Sequence, residues 1–136
     1  MKRRGRKGAE DGAAAVEMAI VLSLLFILLF GIVESAFIFN RWIQVTHAAR
    51  EGVRQLSIGV DPGTAETNAE ATDGSNTAKF GADAVQCAAS SAPDPDNASA
   101  TVVQMTCGTT YRLRLLGMLP IKDPVPLNST AKMRKE

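Results

Sequence analysis

Between residues 13 and 39 the chain carries only two ionisable side chains, Glu17 and Glu34, and the 16 residues 18–33 carry none. A helix over 13–39 is ~40 Å long at ~1.5 Å per residue, enough to cross ~30 Å of hydrocarbon with some tilt. Leu, Ile, Phe and Ala dominate it, Pro is absent, and Gly31 is its only glycine. That composition favours helix. From Asn40 onward the sequence is polar, rich in Ala and Thr, and poor in aromatics. So polar a remainder does not wrap a long rod that is apolar on every side. The mean hydropathy of +0.02 therefore averages two unlike materials, which argues against a single globular core and for a membrane span.

Five basic residues, Lys2, Arg3, Arg4, Arg6 and Lys7, precede the span, and only Arg41 stands immediately behind it. This asymmetry predicts a cytoplasmic N-terminus and an outer C-terminal part. The apolar stretch is too long for a secretory signal, and Val33-Glu34-Ser35-Ala36 is a poor cut site. No Cys lies near residues 20–40 to carry a lipoprotein anchor, so the helix is expected to stay with the protein. The net charge of +1 conceals a local cluster of base and no basic surface, which argues against nucleic acid as a partner. One His and two widely spaced Cys leave no zinc-ligand spacing. No paired carboxylates on a helix face, Ser/His/Asp set or nucleotide-binding Gly-rich loop is present, so neither enzyme activity nor a cofactor is expected.

The boundary between basic head and helix reads Gly12-Ala13-Ala14-Ala15-Val16-Glu17. A small residue closing a short basic leader, with Glu five positions later at the head of an apolar helix, resembles a type IV prepilin cleavage site. Residues 12–20, the stretch Phe30-Gly31-Ile32-Val33-Glu34, the stretch 48–54 and the closing 127–134 are together similar to the TadE-like family of minor pilins (pseudopilins) of the tight-adherence, Flp-type pilus. Met18 departs from the aromatic that Flp-type pilins often carry there. The resemblance implies cleavage after Gly12 by a prepilin peptidase, with Ala13 as the new terminus and Glu17 as the fifth mature residue. It also implies other pilins of the same system, a membrane platform and an assembly ATPase complex as partners. The place implied is the bacterial inner membrane, with incorporation into a surface filament an open alternative. Removing residues 1–12 takes five of the 15 Lys/Arg and two of the 14 Asp/Glu, leaving 10 against 12 and a net charge of −2. The basic leader thus serves topology and processing, not the mature surface.

A carboxylate inside a bilayer is costly, up to ~2.5–3.5 kcal/mol at the centre on insertion scales. The resemblance supplies a partner for Glu17: the α-amino group that cleavage exposes on a neighbouring subunit. The alternative is an interfacial acid favoured by the helix N-terminal dipole. Glu34 lies 17 residues further on, ~25 Å along the axis, and reads as a solvated acid at the outer interface or as a subunit contact. Trp42 beside Arg41 reads as an interface anchor.

Beyond the span, Ile38, Trp42, Val45, Ala49, Val53 and Leu56 recur at three- and four-residue spacing, marking one amphipathic stripe. The helix is expected to run from 13 to 58 and to stop at Gly59 and Asp61-Pro62-Gly63. His47 is a surface or packed helix residue, and Glu51 is within reach of Arg54. Residues 64–71 predict a short helix and 78–85 another helical piece. Residues 90–99, with Pro93-Asp94-Pro95-Asp96-Asn97, predict a loop. Period-two alternation predicts strands over 111–115 and 127–134, with a third over 101–107 and a connection at 117–126. Cys87 and Cys107 both fall outside the membrane, where a disulfide is the default and two buried free thiols the alternative. The expected fold is α+β: a leader at 1–12, a transmembrane helix at 13–39, its exposed amphipathic continuation at 40–59, and a small extracytoplasmic domain at 60–136. That domain holds about three antiparallel strands covered by the exposed half-helix. Two functions fit, a structural and assembly component of a pilus, or a single-pass anchored binding or sensor domain with an uncleaved N-terminus.

Overall fold

The computed structural model describes residues 5–72, 82–97, 100–115, 117 and 124–135. Helix α1 runs Gly5–Ser57, 53 residues and ~80 Å. It starts before Gly12, running through Asp11 and Gly12 with no Pro to break it. It ends where Gly59 takes φ 87°. There the Gly59 amide donates to the Leu56 carbonyl at 3.2 Å and the Val60 amide to that of Gln55 at 3.0 Å. This pair of bonds satisfies carbonyls that the last turn would otherwise leave open, and the left-handed φ suits a residue without Cβ. Asp61 then caps helix α2, Pro62–Ala71, by accepting the Thr64 amide, with proline in the first turn as its missing N–H allows.

Three strands follow: β1 Gln86–Pro93, β2 Thr101–Tyr111 and β3 Val125–Arg134. They form one antiparallel sheet in the order β1-β2-β3, so the fold is the expected α+β. β2 alternates between buried and half-buried positions along most of its length, as a central strand with one covered face must. Val103, Met105 and Cys107 on that face meet Val45, Ala48, Ala49, Val53 and Leu56 of α1 and Ala65 and Ala69 of α2. Small side chains let the two layers approach closely. A Cβ on Gly52 would lie 2.7 Å from Met105 Cε and 3.0 Å from Ala69 Cβ, so this site accepts only hydrogen. Cys87 and Cys107 are register partners and are disulfide-bonded. β2 runs antiparallel to the upper part of α1, its start near Leu56 and its end at Glu34. Its 11 residues span ~36 Å, and the helix from Glu34 to Leu56 rises ~33 Å. The lengths match.

Several expectations need correction. Residues 90–93 are strand, not loop: Ser90, Ser91, Ala92 and Pro93 pair with Gln104, Val103, Val102 and Thr101. Their turn-like composition is tolerated because β1 is an edge strand, where proline's missing donor faces away from the sheet. The alternation at 111–115 does not make a strand, since β2 ends at Tyr111 and the chain then turns. Of the helical piece at 78–85, residues 78–81 lie outside the described residues. Residues 82–85 are not helical, and Ala82 instead bridges Tyr111. The amphipathic stripe also passes through Arg41 and not Trp42, which is exposed against Phe39.

Candidate functional site at the exposed helix and its junction

The first half of α1 is apolar and uncovered. Its best window has a mean hydropathy of 2.8 with none of it buried, so the helix is long and apolar enough to cross a membrane. Gly12, Ala13 and Glu17 are exposed, as are all residues from 18 to 30. Hydroxyls in and just beyond it are satisfied internally: Ser23 donates to the Ala19 carbonyl and Ser35, next to Glu34, to that of Gly31, both at 2.8 Å. Such i−4 bonds suit a polar side chain in hydrocarbon. Phe26 and Phe30 stack at 6.1 Å on one face.

The second half begins abruptly at Glu34. Its side chain is 2% exposed and gathers the end of β2 and the turn after it. The Tyr111 hydroxyl donates to Oε1 at 2.9 Å, the Arg114 amide to Oε1 at 3.2 Å, and the Leu115 amide to Oε2 at 2.7 Å. These bonds replace the next ladder partners of the strand, which is why β2 stops at Tyr111. Burial, the bond to Glu34 and the carboxylate charge together push the Tyr111 phenol up to about 12. Around it, Ala82, Tyr111 and Leu127 form a small apolar cluster, joined by Ile38, Leu113 and Val125. Two turns above Glu34, Arg41 is 4% exposed and donates to the Asp83 carbonyl at 2.8 Å and to Gln44 Oε1 at 2.7 Å. Its burial lowers the guanidinium pKa. The same Asp83 carbonyl accepts the Thr109 hydroxyl at 2.6 Å, and the Asp83 carboxylate accepts that of Thr110. Segment 82–85 is thereby stitched between helix and sheet.

Glu34 is therefore neither a solvated interface acid nor, with its oxygens so occupied, free to contact another subunit. From sequence, Arg41 reads only as a charge behind the span and Tyr111 only as the start of an alternating run, so neither is marked as a partner at this junction. A signal existed: residues 34, 38, 41, 45, 48 and 52 follow a 4-3-4-3-4 spacing, with Glu34 and Arg41 at polar positions inside one buried stripe. Glu17 and the Gly12–Ala13 bond lie ~25–33 Å away along the axis and share no contact with this cluster. His47 is exposed on α1. Among the described residues no group of three His, Cys, Asp or Glu side chains is placed to hold a metal ion.

Residues 12–54 match the model of the family described as TadE-like protein. The match opens at Gly12, contains Glu17, Glu34, Arg41 and Gly52, and ends before the sheet begins. No curated protein and no solved structure matches the chain. The matched segment lies within α1, whose first half is long and apolar enough to cross a membrane.

Proposed function

We propose that the chain is a minor pilin or pseudopilin, a structural and assembly component of a tight-adherence pilus, made with a cytoplasmic leader that a prepilin peptidase removes after Gly12. The observation that carries this reading is a TadE-like segment opening at Gly12 and continuing into a helix whose residues from 13 to 33 are exposed, Gly31 alone being half-buried. Those 21 residues rise ~32 Å, the thickness of the hydrocarbon core, and the domain packs against α1 from Glu34 onward. On this reading the span ends near Val33, short of the Phe39 expected from hydropathy. The disulfide between Cys87 and Cys107 suits an outer, oxidising compartment for the domain.

Assembly proceeds through the exposed helix. Cleavage frees the α-amino group of Ala13, and Glu17 pairs with such an amine on a neighbouring pilin, each charge offsetting the desolvation of the other. A membrane platform and an ATPase supply the work of moving the helix out of lipid. Mass measurement of the mature chain tests leader removal and the disulfide together. A mature chain starting at Ala13 supports the reading, and one retaining residues 1–12 leaves an anchored outer domain. Glu17→Ala is expected to be cleaved normally yet to lose co-purification with partner pilins, and unchanged co-purification removes Glu17 from assembly.

A further inference from the structure

The turn after β2 stands at the level where the apolar surface of α1 begins. Glu34 holds the amides of Arg114 and Leu115, and helical side chains lean toward the N-terminus. The carboxylate and the turn it grips therefore lie at the level where the exposed Ile32 and Val33 begin the uncovered part of α1. Leu115 is 44% exposed and Arg112 and Arg114 are both exposed. Two cations and one uncovered leucine thus flank the top of a charge-free helix. The nearest acid described on the sheet side, Asp83, is one register step up the strand and accepts the Thr110 hydroxyl. The far end of the domain is different, mixing Asp61, Asp94 and Asp96 with Arg134 and Lys135.

We infer that the turn 112–115 is a membrane-seating element: Leu115 inserts at the headgroup boundary while Arg112 and Arg114 bind anionic lipid headgroups of the outer leaflet. This rests on the spanning orientation proposed above. An arginine at an anionic surface is attracted over about one Debye length, and a leucine beside it gains by leaving water. The grip of Glu34 fixes the turn relative to α1, so lipid contacts at the turn set the depth at which the whole molecule sits in the bilayer.

The test uses the full chain in nanodiscs of phosphatidylcholine with phosphatidylglycerol, or of phosphatidylcholine alone. In a Trp42→Phe background, Leu115→Trp reports the turn and Leu25→Trp reports the span, each read by quenching with brominated lipids. The expected result is deep-lipid quenching at position 25, and shallow-lipid quenching at position 115 that falls about twofold or more without phosphatidylglycerol or with Arg112→Gln/Arg114→Gln. Circular dichroism and the intact disulfide confirm folding of each variant. An unquenched position 115 beside a quenched position 25 overturns the seating while the span stands. Quenching at 115 that ignores both lipid charge and the arginines overturns headgroup recognition. An unquenched position 25 removes the span itself and the inference with it.

Discussion

Both halves of α1 are continuous helix, yet residues 13–33 bury almost nothing while residues 34–57 bury a side chain every three or four positions. The lower half is mostly large and apolar on every face beyond Glu17, a surface that can meet lipid or other helices from any direction. The upper half alternates small apolar residues with polar ones, so only one face tolerates contact with the sheet. The same contrast holds for the two acids of the apolar stretch. Glu17 is exposed, and the partner proposed for it lies on another chain, whereas Glu34 is enclosed and engaged within its own chain. One helix thus has two characters along its length: uncovered below, packed against its own domain above. The junction is a single carboxylate.

Breaking the junction acid gives the largest expected effect. Glu34→Ala strands the Tyr111 hydroxyl and two backbone amides in a buried site, a loss of about 3 kcal/mol or more in the urea unfolding of the detergent-solubilised protein. Glu17→Ala leaves that midpoint where it was. Equal shifts for the two variants would erase the distinction between the acids.

The glycines sharpen the comparison at a smaller scale. Gly52→Val forces a side chain against Met105 and Ala69 and is expected to destabilise the domain by about 1–3 kcal/mol. Gly31→Val meets nothing within 4 Å and leaves the unfolding midpoint unchanged. A tolerant Gly52 would mean that the layers are packed more loosely than their contacts indicate.

The gentlest probe is alkaline pH. Tyr111 is the chain's single tyrosine, and its phenol is raised from 10.0 to about 12 in the fold. The protonated form is the one the fold favours, so its contribution is fully present below pH 10 and lost as pH rises through about 12. Phenolate absorbance should titrate near the upper value in the native protein and near the lower one in urea. In Glu34→Gln the native titration should move down, because the carboxylate charge no longer opposes ionisation.

Much of this architecture is legible in residue order. The charge-free run, the stop at Gly59 with Asp61-Pro62, the short helix α2 and the alternation of β3 are local signals, and each became the element expected. The failures share a cause. Ser90-Ser91-Ala92-Pro93 looks like a loop, yet it is strand because β2 offers a free edge and the Cys87–Cys107 bond fixes the register. Leu113 and Leu115 alternate like a strand, yet Glu34, about 80 positions earlier, captures the neighbouring amides. Arg41 looks like a topological charge and lies inside the helix–sheet junction.

Hydropathy, charge asymmetry and the Gly12-to-Glu17 spacing are properties of neighbouring residues, and they alone marked the uncovered apolar helix and carry the proposals for its direction and leader. What required the assembled molecule was the height at which the domain grips that helix. A carboxylate's partners in a buried site are set by which distant backbone groups lack a donor or acceptor once the layers have packed. No stretch of sequence states that for itself.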